Sequence, residues 1–312
     1  MSPDFVAVPE GTTVGQAIEH IRKSRSGDDA FYLYVVDDHE HLVGLVPLHR
    51  LLTADPATSI HAIRNDDVPS VSVDTDQEEV ARVVQRYDLV QIPVVDSNRR
   101  LLGTISVDDV IDVIHEEATE DIQRLGGVAG DETVLDPPQA VFTNRLTWRL
   151  VNLGTAVLAA SVIGLFEESI RAMAMLAVFM PIVASMGGIG TTQTATVVVR
   201  GIALGEMTVS VLRRVLRKEI WLALTTGLAT GLVIALIAYL WKGQVLLALI
   251  LGVALLLNML VAAVVGTLIP VALKTFRIDP AIASSVILTA FTDVFGFFSF
   301  LGLATLLIRF LL

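Results

Sequence analysis

The sequence predicts a multi-domain protein in which a soluble α/β module precedes an all-α membrane domain of five transmembrane helices. Three observations support this fold class: a division of charge, a series of long apolar segments, and a repeat in the first half. Residues 1–144 hold 10 Lys and Arg against 27 Asp and Glu, whereas residues 145–312 hold 12 against 6. We therefore expect a soluble domain at 1–115, an acidic connecting segment at 116–144 and a membrane domain at 145–312.

Five apolar segments in the second half are long enough to cross a membrane, since a spanning helix needs about 20 apolar residues. They are 150–166, 172–199, 220–241, 243–273 and 280–308, and Asp293 is their only charged residue. The loops richest in Lys and Arg lie on the same side as the N-terminal module, which the positive-inside tendency places in the cytoplasm. We expect a multi-pass protein of the plasma membrane, embedded in its lipid bilayer.

The composition excludes several classes of function. The chain has no cysteine, which rules out disulfides, thiolate metal sites and cysteine nucleophiles. The acidic soluble half makes nucleic acid an unsuitable partner. The six histidines show no ligand spacing and no accompanying nucleophile, so we expect no enzyme. The N-terminus has no basic stretch followed by an apolar core, so no cleaved signal peptide is expected.

The soluble half repeats itself at a constant offset of 59 residues. VVDDHEHLVGLVPLHRLL at 35–52 aligns with VVDSNRRLLGTISVDDVI at 94–111. Each copy predicts a strand, a turn, a second strand and a helix, and a helical segment precedes each copy. Such a repeat indicates two copies of one α/β unit packed together. Over about residues 3–115 the pair resembles tandem CBS domains, regulatory modules that commonly bind adenine nucleotides or ions.

The resemblance to CBS domains implies a nucleotide site in the second copy. The run GTISVDD at 103–109 matches the family's ribose-contacting pattern, with Ser106 and Asp109 in the matching places. The equivalent run at 44–50 lacks the acidic residue. ATP or another adenine nucleotide is the ligand that the resemblance implies. The alternative is that Asp109 merely caps the following helix.

An acidic amphipathic helix is predicted over 107–127, where apolar residues recur at helical spacing. The acidic residues lie mostly off the apolar stripe: Asp112, Glu116, Glu117, Glu120 and Asp121. A solvated connector would show this pattern. A hard divalent cation bridging such faces through carboxylate oxygens would relieve their mutual repulsion, so an ion sensor is the competing interpretation.

The second apolar segment contains two features that disfavour a continuous helix. They are Pro181 and the cluster Gly187-Gly188-Ile189-Gly190. In a bilayer, freed carbonyls are tolerated only against protein or a water-filled path. The carbonyls of Gly187 and Gly188 are therefore candidates for lining a pore, with close helix packing as the alternative.

Asp293 lies near the midpoint of the fifth segment. An acidic residue at the bilayer centre costs about 2.5–3.5 kcal/mol on insertion scales. No basic residue lies deep in any segment, so a passing cation is the expected counterpart. The alternative is a protonated Asp293 that hydrogen-bonds Thr289, Thr292 or Ser299 between helices.

The membrane half resembles the MgtE family of magnesium channels through several ordered motifs. They are EDIQRLGG at 120–127, Arg145 with Trp148, FMP at 179–181 followed by GG and Gln193, RGIALGE at 200–206, Lys218-Glu219, Pro270, DPA at 279–281 and TDVFG at 292–296. With the CBS pair, the resemblance covers nearly the whole chain. It implies a homodimer that conducts magnesium and is gated by cytoplasmic magnesium.

Residue by residue, the resemblance implies that Asp293 is the pore carboxylate and that the Gly187 and Gly188 backbone lines the pore. It places Asp279 on a cytoplasmic sensing surface, and Glu120 and Asp121 on a gating helix. Magnesium is thus expected as both the transported and the regulatory ion, with Glu116 and Glu117 adding to the acidic surface.

The chain departs from the family pattern at several points. Ile189 stands where asparagine is usual, Gly190-Thr191 stands where a small residue and then glycine are usual, and Val286 replaces a common proline. We expect no counterpart of the family's N-terminal helical domain ahead of the CBS pair, and hence no gating that requires it. Two alternatives stay open: a channel or carrier for another divalent cation such as Mn²⁺ or Co²⁺, and a non-transporting CBS receptor.

Overall fold

A computed structural model describes residues 1–24, 31–283 and 285–307. These residues divide into two compact units, Met1–Ala118 and Thr119–Leu312. The boundary between the units falls inside a single helix, α5 (Val107–Leu125). Two positions of the predicted fifth apolar segment, 284 and 308, lie outside the described residues.

The first unit contains two three-stranded sheets, one from each copy of the repeat. The first copy consists of β1 (Ala7–Pro9), α1 (Val14–Lys23), β2 (Tyr32–Val36), β3 (Leu42–Pro47), α2 (Leu48–Thr53) and α3 (Ile60–Ile63). The second copy consists of β4 (Val71–Ser72), α4 (Gln77–Tyr87), β5 (Gln91–Val95), β6 (Leu101–Ser106) and α5. In each sheet the first strand pairs in parallel with the second, and the third pairs antiparallel. The predicted α/β pair is confirmed.

The two copies share a local irregularity and contact each other through their turns. The register shifts between Val35 and Val36 in one sheet and between Val94 and Val95 in the other, at equivalent positions. The turn after β2 then hydrogen-bonds the turn after β5 through their backbones. Both turns use backbone groups for this pairing, so this part of the contact between the copies does not depend on side-chain identity.

Five helices among the described residues are long and apolar enough to cross a membrane. They belong to α6 (Pro138–Gly164), α8 (Met175–Ala203), α9 (Val209–Lys242), α10 (Val245–Thr275) and α11 (Ser285–Leu306). A short α7 (Glu167–Ala172) follows α6, and a 3₁₀ helix (Pro280–Ala283) precedes α11. The prediction of five spans is confirmed.

The helix α6 begins well before the apolar segment predicted at 150–166. Pro138 is its first residue, where the missing N–H and the fixed φ of proline suit the first helical turn. Arg145 and Arg149, which precede the predicted segment, therefore lie within the helix. The prediction placed them outside because hydropathy marks the apolar part of a helix and not its beginning.

The helix α10 is the central helix of the second unit. It has the highest mean hydropathy of the five, 2.8, and packs against α8, α9 and α11. Its contact with α9 is very close at Gly231 and Gly252, where a Cβ on Gly231 would lie 2.9 Å from the carbonyl oxygen of Gly252. Small residues at such crossings let membrane helices approach backbone to backbone.

The predicted interruption of the second span is wrong, because α8 is one continuous helix from Met175 to Ala203 with Pro181 inside it. An unpaired backbone group in hydrocarbon costs several kcal/mol, so a helix that keeps its ladder is favoured. Within this helix, the hydroxyl of Thr191 also donates to the carbonyl of Gly187, and the hydroxyl of Thr192 donates to that of Gly188, each at 2.9 Å.

Candidate cation path

The helices α8 and α11 together line a cavity of about 520 Å³ in the membrane domain. Its walls are Ala184, Ser185, Gly188, Ile189, Thr192 and Gln193 of α8, and Thr289 and Asp293 of α11. The α8 residues recur in pairs every four positions, and the two α11 residues are also four apart. This spacing places each set on one helix face, so the cavity is a groove, open on one side, that runs along the two helices.

Asp293 is partly buried, and its carboxylate lines this cavity. Among the described residues it has no hydrogen-bond or ion-pair partner. The hydroxyl of Thr292 donates to the carbonyls of Leu288 and Thr289, and that of Ser299 to the carbonyl of Gly296. These two hydroxyls are thus engaged by their own helix, and neither pairs with the carboxylate as the alternative required.

The two predicted pore glycines lie on different sides of α8. Gly188 lines the cavity, whereas Gly187 is buried against Asn258 of α10 and Thr292 of α11. Each glycine carbonyl accepts a threonine hydroxyl in addition to lying inside a continuous helix. Because a carbonyl oxygen has two lone pairs, these oxygens have little remaining capacity for direct metal ligation.

Asp279 and Glu120 are brought together by a single arginine. The guanidinium of Arg124 pairs with both carboxylates. The other oxygen of Asp279 accepts the backbone N–H of Ala281 at 2.7 Å, which caps the 3₁₀ helix. Glu120 and Asp279, which were both predicted to take part in magnesium sensing, are therefore already paired with the positive charge of Arg124. Over the described ranges, no three His, Asp or Glu side chains converge in a way that would hold a metal ion by themselves.

The remaining acidic residues of α5 are engaged to different degrees. Glu116 is exposed, and Glu117 accepts a hydrogen bond from the side-chain amide of Gln77. Asp121 also has an interaction within the protein. Burial raises the pKa of the neighbouring Glu78, and the Glu117 carboxylate adds to that rise against the opposing effect of Arg82.

Ser106 and Asp109 lie at the beginning of α5. The Oγ of Ser106 accepts the backbone N–H of Asp109 at 3.3 Å, so the capping side chain belongs to Ser106 and not to Asp109. The carboxylate of Asp109 is 55% exposed and lies 4.0 Å from the amino group of Met1. The alternative that Asp109 caps the helix is therefore wrong.

The soluble unit also contains a cavity of about 410 Å³, which Ser106 and Asp109 do not line. Its polar lining comes from the turns of both copies and includes His41, Arg64, Asp66, Asn98 and Arg99. Arg64 is neutralised there by Glu10 and Asp66, each at 2.7 Å. The cavity is thus polar but has a local balance of charge.

The comparisons with known proteins agree with this architecture. The family model for the MgtE divalent cation transporters matches residues 180–303, and the CBS domain model matches residues 1–57 and 60–116. The magnesium transporter MgtE of Thermus thermophilus is 36% identical over 312 residues, which cover 99% of this chain and 69% of that protein. The chain belongs to the MgtE family.

A second curated relative gives the same result. The magnesium transporter MgtE of Bacillus subtilis is 32% identical over 310 residues, which cover 99% of this chain and 69% of that protein. A crystal structure of the cytosolic domain of the Mg²⁺ channel MgtE in complex with ATP aligns at 46% identity with a TM-score of 0.35. That alignment covers 36% of this chain and 46% of that chain. The protein is a multi-pass membrane protein with an N-terminal CBS pair.

Two buried polar residues of the MgtE-type domain were not predicted as site residues. Asn258 is 1% exposed in α10, and Glu219 is 5% exposed in α9. Both had a signal in the sequence. Asn258 is an amide in the middle of a charge-free apolar segment, and Glu219 belongs to the Lys218-Glu219 motif. A buried polar group needs partners, so each marks a helix contact beside the cavity.

Proposed function

We propose that this chain is a magnesium-selective channel in which the ion passes along the cavity between α8 and α11. The observation that carries the proposal is Asp293, a carboxylate inside a spanning helix that lines a cavity and has no partner among the described residues. An uncompensated acid at this depth is costly. A cation in the cavity would offset that cost.

The size and lining of the cavity suit an ion that keeps its water. Mg²⁺ gives up water reluctantly and usually retains several waters. At roughly 30 Å³ for each water, an ion with six waters needs about 200 Å³, which the cavity of about 520 Å³ accommodates. Ser185, Thr192 and Gln193 supply polar groups along the wall for such a shell. Gly188 allows it to approach the helix backbone.

A passive channel fits these residues better than a proton-coupled exchanger. A divalent cation gains roughly 4.6 kcal/mol per 100 mV on moving down the membrane potential, twice the value for one charge. Within the part of the chain that the structure describes, Asp293 is the only acidic residue that lines the cavity. The buried Glu219 is not part of the lining and is already bonded to Thr194 and Lys218. A relay of proton carriers along the path is therefore lacking in the described lining.

We assign the second wall of the path to another copy of the chain. In one chain the cavity is walled by α8 and α11 alone, and Ile189 in that wall is 51% exposed. A homodimer would place two Asp293 carboxylates across one path. A bifunctional maleimide long enough to span a hydrated ion should cross-link two Ile189→Cys chains in the membrane. Exclusively monomeric protein after that treatment would exclude this arrangement.

For regulation, cytoplasmic magnesium acts through Glu116, Glu117, Glu120, Asp121 and Asp279. Accumulated ion would bridge these carboxylates and favour a closed path, and a low concentration would leave them to repel one another. Arg124 already occupies the space between Glu120 and Asp279, so an ion that enters there competes with a guanidinium.

For nucleotide binding, we assign ATP or another adenine nucleotide to the beginning of α5. Ser106 and Asp109 lie within one helical turn of each other, and the Asp109 carboxylate is exposed. An exposed carboxylate next to a hydroxyl can accept hydrogen bonds from the two ribose hydroxyls. This function is regulatory, with no chemical conversion of the nucleotide.

Magnesium flux into proteoliposomes tests the central assignment. Asp293→Ala and Asp293→Asn should both abolish magnesium-dependent flux, because each removes the charge that attracts the ion. The exposed Glu168→Gln variant is the matched control and should keep wild-type flux. Size-exclusion profiles of the purified variants show whether they fold. Undiminished flux in folded Asp293→Asn would refute the pore assignment.

The two alternatives have separate readouts. Ion-competition flux with Mn²⁺ and Co²⁺ distinguishes a magnesium channel from a channel for another divalent cation, and Ile189 is the residue that makes the comparison necessary. A non-transporting receptor would show no flux in the wild-type protein. Asp293 argues against a receptor, since a passive anchor has no need of an unpaired carboxylate in a spanning helix.

A further inference from the structure

Asn258 lies in the interior of α10, the most apolar of the spanning helices. It is 1% exposed, so neither lipid nor water reaches its amide. A buried amide without hydrogen bonds is unfavourable by several kcal/mol in hydrocarbon. The cost of burying the amide therefore depends on the contacts that this side chain makes.

The amide is bonded on one side only. Its Nδ2 donates to the backbone carbonyl of Val183 in α8 at 2.9 Å. That carbonyl lies inside a continuous helix, and its second lone pair is available for the amide. The Oδ1 is buried and has no hydrogen-bond partner among the described residues. Such a buried, half-satisfied amide is rare in native proteins and calls for an explanation.

Two glycines on two different helices make room for the amide. A Cβ on Gly187 of α8 would overlap the Asn258 amide and would lie 3.1 Å from the Cβ of Thr292. A Cβ on Gly296 of α11 would lie 2.7 Å from the Asn258 Nδ2 and 3.2 Å from Val183. Both glycines are buried. The amide thus fills a socket at the junction of α8, α10 and α11.

This socket is adjacent to the cavity wall. Gly187 directly precedes Gly188, and Gly296 lies three residues after Asp293, within one helical turn. Both Gly188 and Asp293 line the cavity. A change in the socket would therefore alter the separation of the two helix faces between which the ion is proposed to pass.

We propose that Asn258 is a positioning residue that sets the separation of α8 and α11 and hence the width of the path between Gly188 and Asp293. The inference rests on the proposed channel function and adds a residue outside the cavity lining. It also gives Gly187 a role different from that of its neighbour: Gly187 admits the amide, while Gly188 faces the path. An apolar side chain would fill the volume, but it could not bond the Val183 carbonyl and so could not fix α10 to one turn of α8.

A double-mutant cycle between Gly187→Ala and Asn258→Ala tests the inference. Gly187→Ala alone should lower magnesium flux by about tenfold or more, because the new methyl would overlap the Asn258 amide and displace α8 from α10 and α11. In Gly187→Ala/Asn258→Ala the amide that the new methyl would overlap is gone, so flux should return close to that of Asn258→Ala. Gly154→Ala is the matched control, since a Cβ there meets nothing within 4 Å, and it should behave as wild type.

A further variant distinguishes positioning from mere folding. Asn258→Leu keeps the approximate volume and removes the bond to Val183. Among folded molecules it should change the apparent KM for magnesium and the Mg²⁺ to Co²⁺ preference by about threefold or more, because the width of the path decides both. The melting temperature of each detergent-purified variant reports folding independently of flux.

The outcomes separate this inference from the channel assignment. A double variant no more active than Gly187→Ala, or an Asn258→Leu protein with wild-type KM and ion preference, would overturn the role of Asn258. A wild-type protein without magnesium flux would overturn the channel assignment. In that case the melting temperatures of the Gly187→Ala, Asn258→Ala and double variants would still test the socket. Non-additive changes in melting temperature would support the contact between the two residues, and additive changes would overturn it as well.

Discussion

The hydroxyl of Thr194 on α8 donates a hydrogen bond to the carboxylate of Glu219 on α9, with 3.0 Å between the two oxygens. Glu219 is 5% exposed, and its other oxygen lies 2.9 Å from the ammonium of Lys218. Thr194 follows Gln193, which lines the cavity. This bond therefore fixes the rotation of α8 at the level of the proposed path.

We expect Glu219→Ala to destabilise the purified protein by roughly 1.5–3 kcal/mol, the usual cost of losing a buried hydrogen bond to a charged group. Glu219→Gln keeps the volume and an acceptor, so its effect should be smaller. Thermal unfolding in detergent measures both. Arg214→Ala is the control, because that side chain is exposed on the same helix and takes no part in the Glu219 contact. Equal melting temperatures for Glu219→Ala and wild type would contradict the expectation.

Replacing Arg124 with glutamine should strengthen inhibition by internal magnesium. The guanidinium is the cation that Glu120 and Asp279 now share, and its removal leaves two carboxylates without a positive partner. We expect the inhibitory concentration to fall about fivefold, a coupling of about 1 kcal/mol. Flux at graded internal magnesium measures it. Arg171→Gln, whose partner is the exposed Glu167, is the control. Weaker inhibition in Arg124→Gln would show that the arginine itself holds the path closed.

Neutralising Glu116, Glu117, Glu120 and Asp121 together should blunt inhibition by internal magnesium, because their carboxylates are the proposed ligands. Flux through wild type and the fourfold variant, each at low and high internal magnesium, tests this. Low-magnesium flux should remain close to wild type, since none of the four lines the cavity. Inhibition at full strength would place the sensor elsewhere in the chain.

Asp109→Ala should weaken ATP binding to the full-length protein by about tenfold or more, as expected for loss of hydrogen bonds to a charged acceptor. Equilibrium binding of fluorescent ATP measures the affinity. Asp108→Ala removes the same charge at the neighbouring position and is the control. Asp108→Ala should bind ATP as wild type does. Wild-type affinity in Asp109→Ala would overturn the nucleotide assignment at the beginning of α5.

The sequence predicted the elements of this fold well because each had a strong periodic or compositional signal. The repeat at offset 59 indicated two α/β units and two of the three strands of each sheet, and the two sheets share the same register shift. It did not indicate β1 or β4, which precede the aligned runs and are only two or three residues long. Hydropathy located all five spanning helices. It missed the first turns of α6, because Arg145 and Arg149 interrupt the apolar pattern without interrupting the backbone hydrogen bonds.

The site was predicted less completely, because its geometry depends on contacts between helices. Residue type drew attention to Asp293, and the cavity shows which α8 residues face it. Propensity overestimated the tendency of Pro181 and the glycine cluster to interrupt α8, since backbone groups in hydrocarbon favour an intact helix. Nothing local in the sequence distinguishes Gly187 from Gly188; only the position of Asn258 does. Likewise, Arg124 between Glu120 and Asp279 joins residues that are far apart in the chain.

The paired turns of the CBS copies have a mechanical consequence. Leu42 donates its backbone N–H to the carbonyl of Arg99 at 2.9 Å, and Leu101 donates to that of Glu40. Tyr34 and Gln91 add a buried link between the same two sheets. Shear between the copies would break all of these bonds at once, so the pair should bind its ligands with little change in its internal shape.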